Sequence, residues 1–256
     1  MKKNKICTFL AFYTAAVLSL SLPAWASQVT ISPLDPGTST SQSQAVQPTQ
    51  QTQPSNTQNT ASQTTDISSI AKPTIASQGA VLLNAADGSV LFSKNGETQY
   101  YPASITKLMT ALLVAENCSL DDTVTFSATA TTNLEAGAVS IGMTEGDTMT
   151  VRQCLYALLL KSANEVGNAL AEHVAGSNAA FAEKMNAKAA SLGCTNTHFA
   201  NPHGLNDPNH YTTPHDMALI ARAAFANDIV KTVASTRTYT LPATKKNPSG
   251  LTVTMG

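Results

Sequence analysis

The order of local patterns along the chain predicts an α+β domain. Short apolar runs joined by a turn signal come first, a succession of helical patterns fills the middle, and two strand-like runs return near the end. Segregated strands and helices of this kind argue against a repeating βαβ unit and its parallel sheet.

Ala80 to Asn84 and Ser89 to Ser93 are the first pair of runs, and Asp87-Gly88 between them is a hairpin signal. Pro102 suits a first helical turn, and Leu108, Met109, Leu112, Leu113 and Ala115 continue the apolar spacing of a helix to Glu116. Thr123-Val124-Thr125-Phe126 reads as a short extended segment, followed by a Gly-rich loop to Asp147. Thr150 and Gln153 form a capping box that opens a helix from Val151 to about Leu160. After a turn at Lys161 to Ala163, a further helix runs from Asn164 to Ala175 and stops at Gly176. Ser177 then caps another that ends before Gly193. Thr213-Pro214 starts one more, to about Ala226. Tyr239 to Leu241 and Leu251 to Val253 flank a Lys-Asn-Pro-Ser-Gly turn as strands.

The flanking chain is of a different kind. Lys2, Lys3 and Lys5, an apolar run from Ile6 to Leu22, and Ala24-Trp25-Ala26 read as a secretory signal over 1–26. Residues 27–72 are rich in Ser, Thr, Gln and Pro and too poor in apolar side chains to order themselves. They read as a disordered spacer from a membrane or wall. Residues 73–256 form the remaining domain. The net charge of -1 and the absence of a basic cluster exclude a nucleic-acid footprint. Cys118, Cys154 and Cys194 match neither a zinc nor a C-x-x-C redox spacing, and read as small buried apolar residues with room for one disulfide.

Ser104-Ile105-Thr106-Lys107 carries the chemistry. At this spacing in a helical first turn, the serine hydroxyl and lysine amine share one face, and a neutral amine can take the hydroxyl proton. A first-turn serine also lies near unpaired backbone N–H groups and the positive end of the helix dipole; the competing reading is a simple helix cap. Ser69-Ile70-Ala71-Lys72 repeats the spacing, but Lys72 precedes Pro73, which disfavours helix. Ser162-Ala163-Asn164 sits in a turn between helices that can aim a hydroxyl and an amide into a cleft. Ser93-Lys94-Asn95 matches too but precedes the nucleophile.

These segments together, Pro102 to Thr110, Tyr156 to Asn164, His203-Gly204-Leu205 and His215-Asp216-Met217-Ala218, resemble the serine D-alanyl-D-alanine carboxypeptidases, the low-molecular-mass penicillin-binding proteins. The resemblance implies a penicillin-binding/β-lactamase-like transpeptidase fold, a helical subdomain with an antiparallel sheet. It implies Ser104 as nucleophile, Lys107 as its general base, Ser162 as a proton relay, Asn164 as a ligand of the substrate amide, and His203 as a shaper of the cleft. The implied substrate is the peptidoglycan stem peptide ending in D-Ala-D-Ala, at the cell envelope. Penicillins would acylate the same serine, and no cofactor or metal is called for. In the family a Lys-Thr-Gly strand supplies a second cation and an oxyanion donor. This sequence has neither Lys-Thr-Gly nor Lys-Ser-Gly, so the domain is expected to lack its C-terminal part, the membrane-anchoring helix included.

His198, His203, His210 and His215 crowd one stretch, but their spacings fit no metal pattern. Asp216, three residues after Thr213, reads as part of a cap. Two other functions stay open: a β-lactamase-like hydrolase, for which no glutamate after Ser162 lies in a suitable loop, and a non-catalytic wall-binding module.

Overall fold

The computed structural model describes residues 73–132 and 134–255. The signal and spacer segments, and with them Ser69 and Lys72, lie outside the described residues.

A hairpin opens the domain. Strands β1 (Ala80–Leu83) and β2 (Val90–Lys94) pair antiparallel, with an irregularity between Leu82 and Leu83. The turn closes where the Asn84 N–H donates to the Ser89 carbonyl, while Asp87 accepts from the Ser89 N–H. A 3-10 turn over Ala103–Thr106 then leads into α1 (Lys107–Asn117). Ser104 therefore sits one tight turn ahead of the α-helix, and its side chain makes no capping bond. Lys107 to Val114 are all buried, because α1 is apolar on nearly every face and packs against four long helices around it.

Those helices are α3 (Val151–Leu160), α4 (Asn164–Ala175), α5 (Asn178–Ser191) and α6 (Pro214–Ala226), and a short seventh, α7 (Asp228–Ala234), closes the group. Their boundaries follow local chemistry. Thr150 and Gln153 form the reciprocal capping box before α3, Gly176 ends α4 in the left-handed conformation at φ +81°, and Ser177 and Thr213 cap α5 and α6. Asn227 both ends α6 and caps α7 by accepting from the N–H groups of Ile229 and Val230, so the expected strand approach after Ala226 is preceded by one more helix.

The segment expected as a Gly-rich loop holds two small elements, α2 (Ala128–Thr131) and β4 (Thr148–Thr150), the latter paired antiparallel with β3 (Thr123–Thr125). Strands β5 (Thr238–Leu241) and β6 (Leu251–Thr254) form a third pair. Among the described residues the strands thus make three separate two-stranded antiparallel sheets, within the α+β class. The core runs from Leu112, Val114 and Leu155 to Leu158, Leu170, Phe181 and Ile220, all nearly inaccessible. No helix among the described residues is long and apolar enough to cross a membrane.

Among the described residues the cysteines form no disulfide. Cys118, Cys154 and Cys194 are free thiols, and Cys154 and Cys194 are buried in the core. Burial raises the Cys194 thiol to about 12, which leaves it inert as a nucleophile.

Candidate active site

Two non-glycine turns with positive φ meet at one point. Ala103 adopts φ +51° immediately before Ser104, and Ser162 adopts φ +63° between α3 and α4. Residues other than glycine rarely sit there, and such backbone strain clusters at functional sites. Here it turns two hydroxyls toward each other: Ser162 Oγ donates to Ser104 Oγ at 3.0 Å.

Lys107 completes the group from the first turn of α1. Its Nζ lies 3.2 Å from Ser104 Oγ, 2.9 Å from Asn164 Oδ1 and 2.8 Å from the His203 carbonyl oxygen. The last two can only accept, so they hold two of the amine's N–H bonds. In its neutral form the nitrogen then has its lone pair left for the Ser104 hydroxyl. Burial lowers Lys107 from the usual 10.5 to about 7, against the opposing pull of the Glu165 carboxylate.

Asn164 is oriented from both ends. Its Oδ1 accepts a hydrogen bond from Lys107 Nζ, while its Nδ2 and its backbone N–H both donate to the Val139 carbonyl, which lies on the loop before β4. The residue expected to face a substrate amide is thus also the clamp between Lys107 and that loop.

His203 reaches the site through its main chain. Its carbonyl accepts from Lys107, and its ring Nδ1 accepts from the Leu205 N–H within its own loop. Burial, reinforced by the charge of Lys107, lowers the ring to about 3, so it is neutral at physiological pH. The loop presses close to the Ser104 turn. Gly204 has φ +85°, and a Cβ built there would lie 1.9 Å from the Ala103 carbonyl oxygen, so only glycine fits against the Ser104 turn.

Residues that spacing alone did not single out finish the support. His210 Nδ1 accepts from the Ala200 N–H, which leaves the proton of the neutral ring on Nε2, and Nε2 then donates to Thr106 Oγ1 at 2.8 Å. Thr110 Oγ1 donates to the Pro202 carbonyl at 2.6 Å. Thr106 and Thr110 lie one turn apart on α1's entry, the i, i+4 relation being the only signal the sequence offered for them. Asp216 is the cap partner expected, with its N–H on Thr213 Oγ1. Its carboxylate also accepts from the Asn196 N–H and Thr197 Oγ1, which fixes the far end of the same loop region. The histidines of this stretch do not converge on one point. His198 bonds the Asn209 carbonyl and His215 lies 3.0 Å from Glu97. Ser93-Lys94-Asn95 bonds elsewhere: Lys94 donates to the carbonyls of Ile75 and Ser77 and Asn95 to that of Gln78.

The sequence profile of the D-alanyl-D-alanine carboxypeptidase family matches residues 63–251. A D-alanyl-D-alanine carboxypeptidase of a Streptomyces species is 36% identical over 194 residues, covering 72% of this chain and 67% of the relative. The enzyme DacF of Bacillus subtilis is 38% identical over 150 residues, covering 57% and 38%. The crystal structure of the carboxypeptidase DacD from Francisella tularensis superimposes with a TM-score of 0.64 at 32% identity, covering 71% of this chain and 44% of that one. The chain spans between 38% and 67% of the length of these two curated relatives. The matched profile takes in the Ser104 turn, the Ser162 turn and the His203 loop alike, and it covers well over half of the sequence. The chain belongs to the D-alanyl-D-alanine carboxypeptidase family.

Proposed function

We propose that this protein carries out serine acyl transfer on peptidoglycan stem peptides, releasing the terminal D-alanine, and that β-lactams acylate the same serine. The single observation that supports it most is the Ser104–Lys107–Ser162 cluster: a buried amine, titrating near neutrality, within 3.2 Å of a hydroxyl that a second hydroxyl also contacts.

In this reading neutral Lys107 accepts the Ser104 proton as Oγ attacks the carbonyl carbon of the penultimate D-alanine. The tetrahedral adduct then collapses with cleavage of the C–N bond. The departing D-alanine amine receives a proton from the Ser162 hydroxyl, which in turn takes the proton held by Lys107. Water hydrolyses the resulting Ser104 ester, with Lys107 again taking a proton. Asn164, held by Lys107 and Val139, lies where it can also meet the substrate backbone. No step calls for a metal or cofactor.

The names of the relatives support this substrate class, and the N-terminal pattern of lysines, apolar run and Ala-Trp-Ala supports an extracytoplasmic location with peripheral association to membrane or wall. The test is release of D-alanine from a synthetic stem peptide ending in D-Ala-D-Ala. Ser104→Ala should abolish it, and equal release by both proteins would sink the proposal.

A further inference from the structure

Glu165 follows Asn164 in the first turn of α4 and is 1% exposed. Its Oε1 accepts from Ser140 Oγ at 2.6 Å and from the backbone N–H groups of Ile141 and Gly142 at 2.7 and 3.1 Å, with the Met143 N–H at 3.5 Å. Successive amides wrapped around one oxygen form an anion-binding nest, and Gly142 at φ +77° supplies the bend. Its Oε2 is equally buried and has no hydrogen-bond partner among the described residues.

Anchoring a loop does not need this. A neutral amide oxygen could sit in the same nest, and a buried carboxylate with one oxygen unpaired is costly to keep. The neighbouring residue offers a reason. Asn164 joins Lys107 to the Val139 carbonyl, so Asn164 and Glu165 together tie one loop, 139–143, to the catalytic amine. Burial by itself drives a lysine toward a permanently neutral and weakly basic state, whereas a general base works best when it titrates near the operating pH. The carboxylate of Glu165, the residue next to the Asn164 that bonds Lys107, opposes that drift.

We propose that Glu165 is a positioning residue for the acyl-transfer site: its Oε1 holds the 139–143 wall that orients Asn164, and its charge keeps buried Lys107 basic enough to take and return the serine proton. The inference rests on the reading of Lys107 as base. Other titratable groups around Lys107 do not supply that charge. His203 and His210, on the loop packed against α1, are held neutral at physiological pH, Lys161 at the end of α3 is exposed and of the same sign, and the 139–143 loop carries no ionisable side chain.

The experiment reads Lys107 itself, by NMR titration of lysine side chains labelled at Cε in the full chain, with Lys107→Arg to assign the signal. Amide exchange at Ile141 and Gly142 is followed in parallel. Glu165→Gln keeps the shape and an acceptor but removes the charge, and should lower the Lys107 midpoint by about 0.5 to 1 pH unit, the scale of one removed charge at the effective dielectric of a protein. The acidic limb of β-lactam acylation should move down with it. Glu165→Asp keeps the charge but withdraws from the nest. It should leave the midpoint near that of wild type while exchange at 141 and 142 accelerates about tenfold, as expected for losing hydrogen bonds of ordinary strength. A Glu165→Gln midpoint equal to wild type overturns the role of Glu165. A wild-type Lys107 titrating at the ordinary lysine value instead overturns the base assignment beneath it, so the two failures are distinct. Should Glu165→Gln not fold, Glu165→Asp decides: a kept midpoint with faster exchange supports the proposal, and unchanged exchange overturns it.

Discussion

Lys107 is stretched between two demands, burial that strips its charge and three polar contacts that fix its nitrogen. At a value of about 7 the amine is half neutral near physiological pH. Acylation by a β-lactam should therefore rise across pH 6 to 8 and level off above, with a midpoint near 7, as rates of acylation measured against pH will show. Lys107→Ala should reduce that rate by about 10²- to 10⁴-fold, the range usual for a positioned general base. The same shift marks stability. Between about 7 and 10.5 the unfolded chain keeps a proton on this lysine that the folded chain has released, so stability rises with pH through that window. Lys107→Met should flatten the dependence there, as denaturant titrations at pH 7 and 9.5 would reveal; an unaltered slope would contradict the burial argument.

Elements, more than single side chains, bring the two hydroxyls and the amine together. The Ser104 turn, the Ser162 turn and the 201–205 loop each arrive on a different connection, and Gly204 is where the third presses on the first. Gly204→Ala must displace the Ala103 carbonyl or leave its own left-handed backbone. A misplacement of the nucleophile by about 1 Å is enough for roughly a hundredfold loss in rate. The variant should thus stay folded yet acylate about a hundredfold more slowly; a rate within twofold of wild type would show that the loop does not set the serine. By contrast, Thr150→Val removes the capping box of α3, away from the chemistry. It should cost about 1 kcal/mol in chemical denaturation and leave acylation unchanged.

Caps and glycines made most of these elements legible in the sequence: Thr150 with Gln153, Gly176, Ser177 and Thr213-Pro214 mark helix ends through local bonds that depend on neighbours in the chain. The short elements were not legible. Four residues of α2 and seven of α7 carry too little periodicity to register, and β4 exists because β3 pairs with it. In the site, Ser104, Lys107, Ser162 and Asn164 follow from motif and order. The roles of Val139, Thr106, His210 and Glu165 depend on contacts across tens of residues, and no spacing rule reaches that far.

At the scale of the whole domain, buried neutral histidines tie the loop over α1 to the pH of the surroundings. His203 and His210 are held at about 3 and 4, below the usual 6.5. Both are neutral when folded and take up protons on unfolding below about 6.5, so their contribution to stability is full above about 6.5 and is lost as pH falls toward 4. Thermal unfolding followed from pH 7 to 4 should show a steady decline, and His210→Gln should make it shallower; a profile level to pH 4 would contradict the buried-histidine account. The loop that carries these histidines also supplies the His203 carbonyl to Lys107, so acid should disable the site before it unfolds the core around α1.

The most direct measurement is the intact mass of the full chain after incubation with benzylpenicillin, beside Ser104→Ala. The assembled serine, lysine and second serine predict a single covalent adduct on the wild type, mapped to the peptide holding Ser104 and absent from the variant. An unmodified wild-type chain after prolonged incubation, or an equal adduct on both proteins, would contradict the claim that Ser104 is the activated nucleophile.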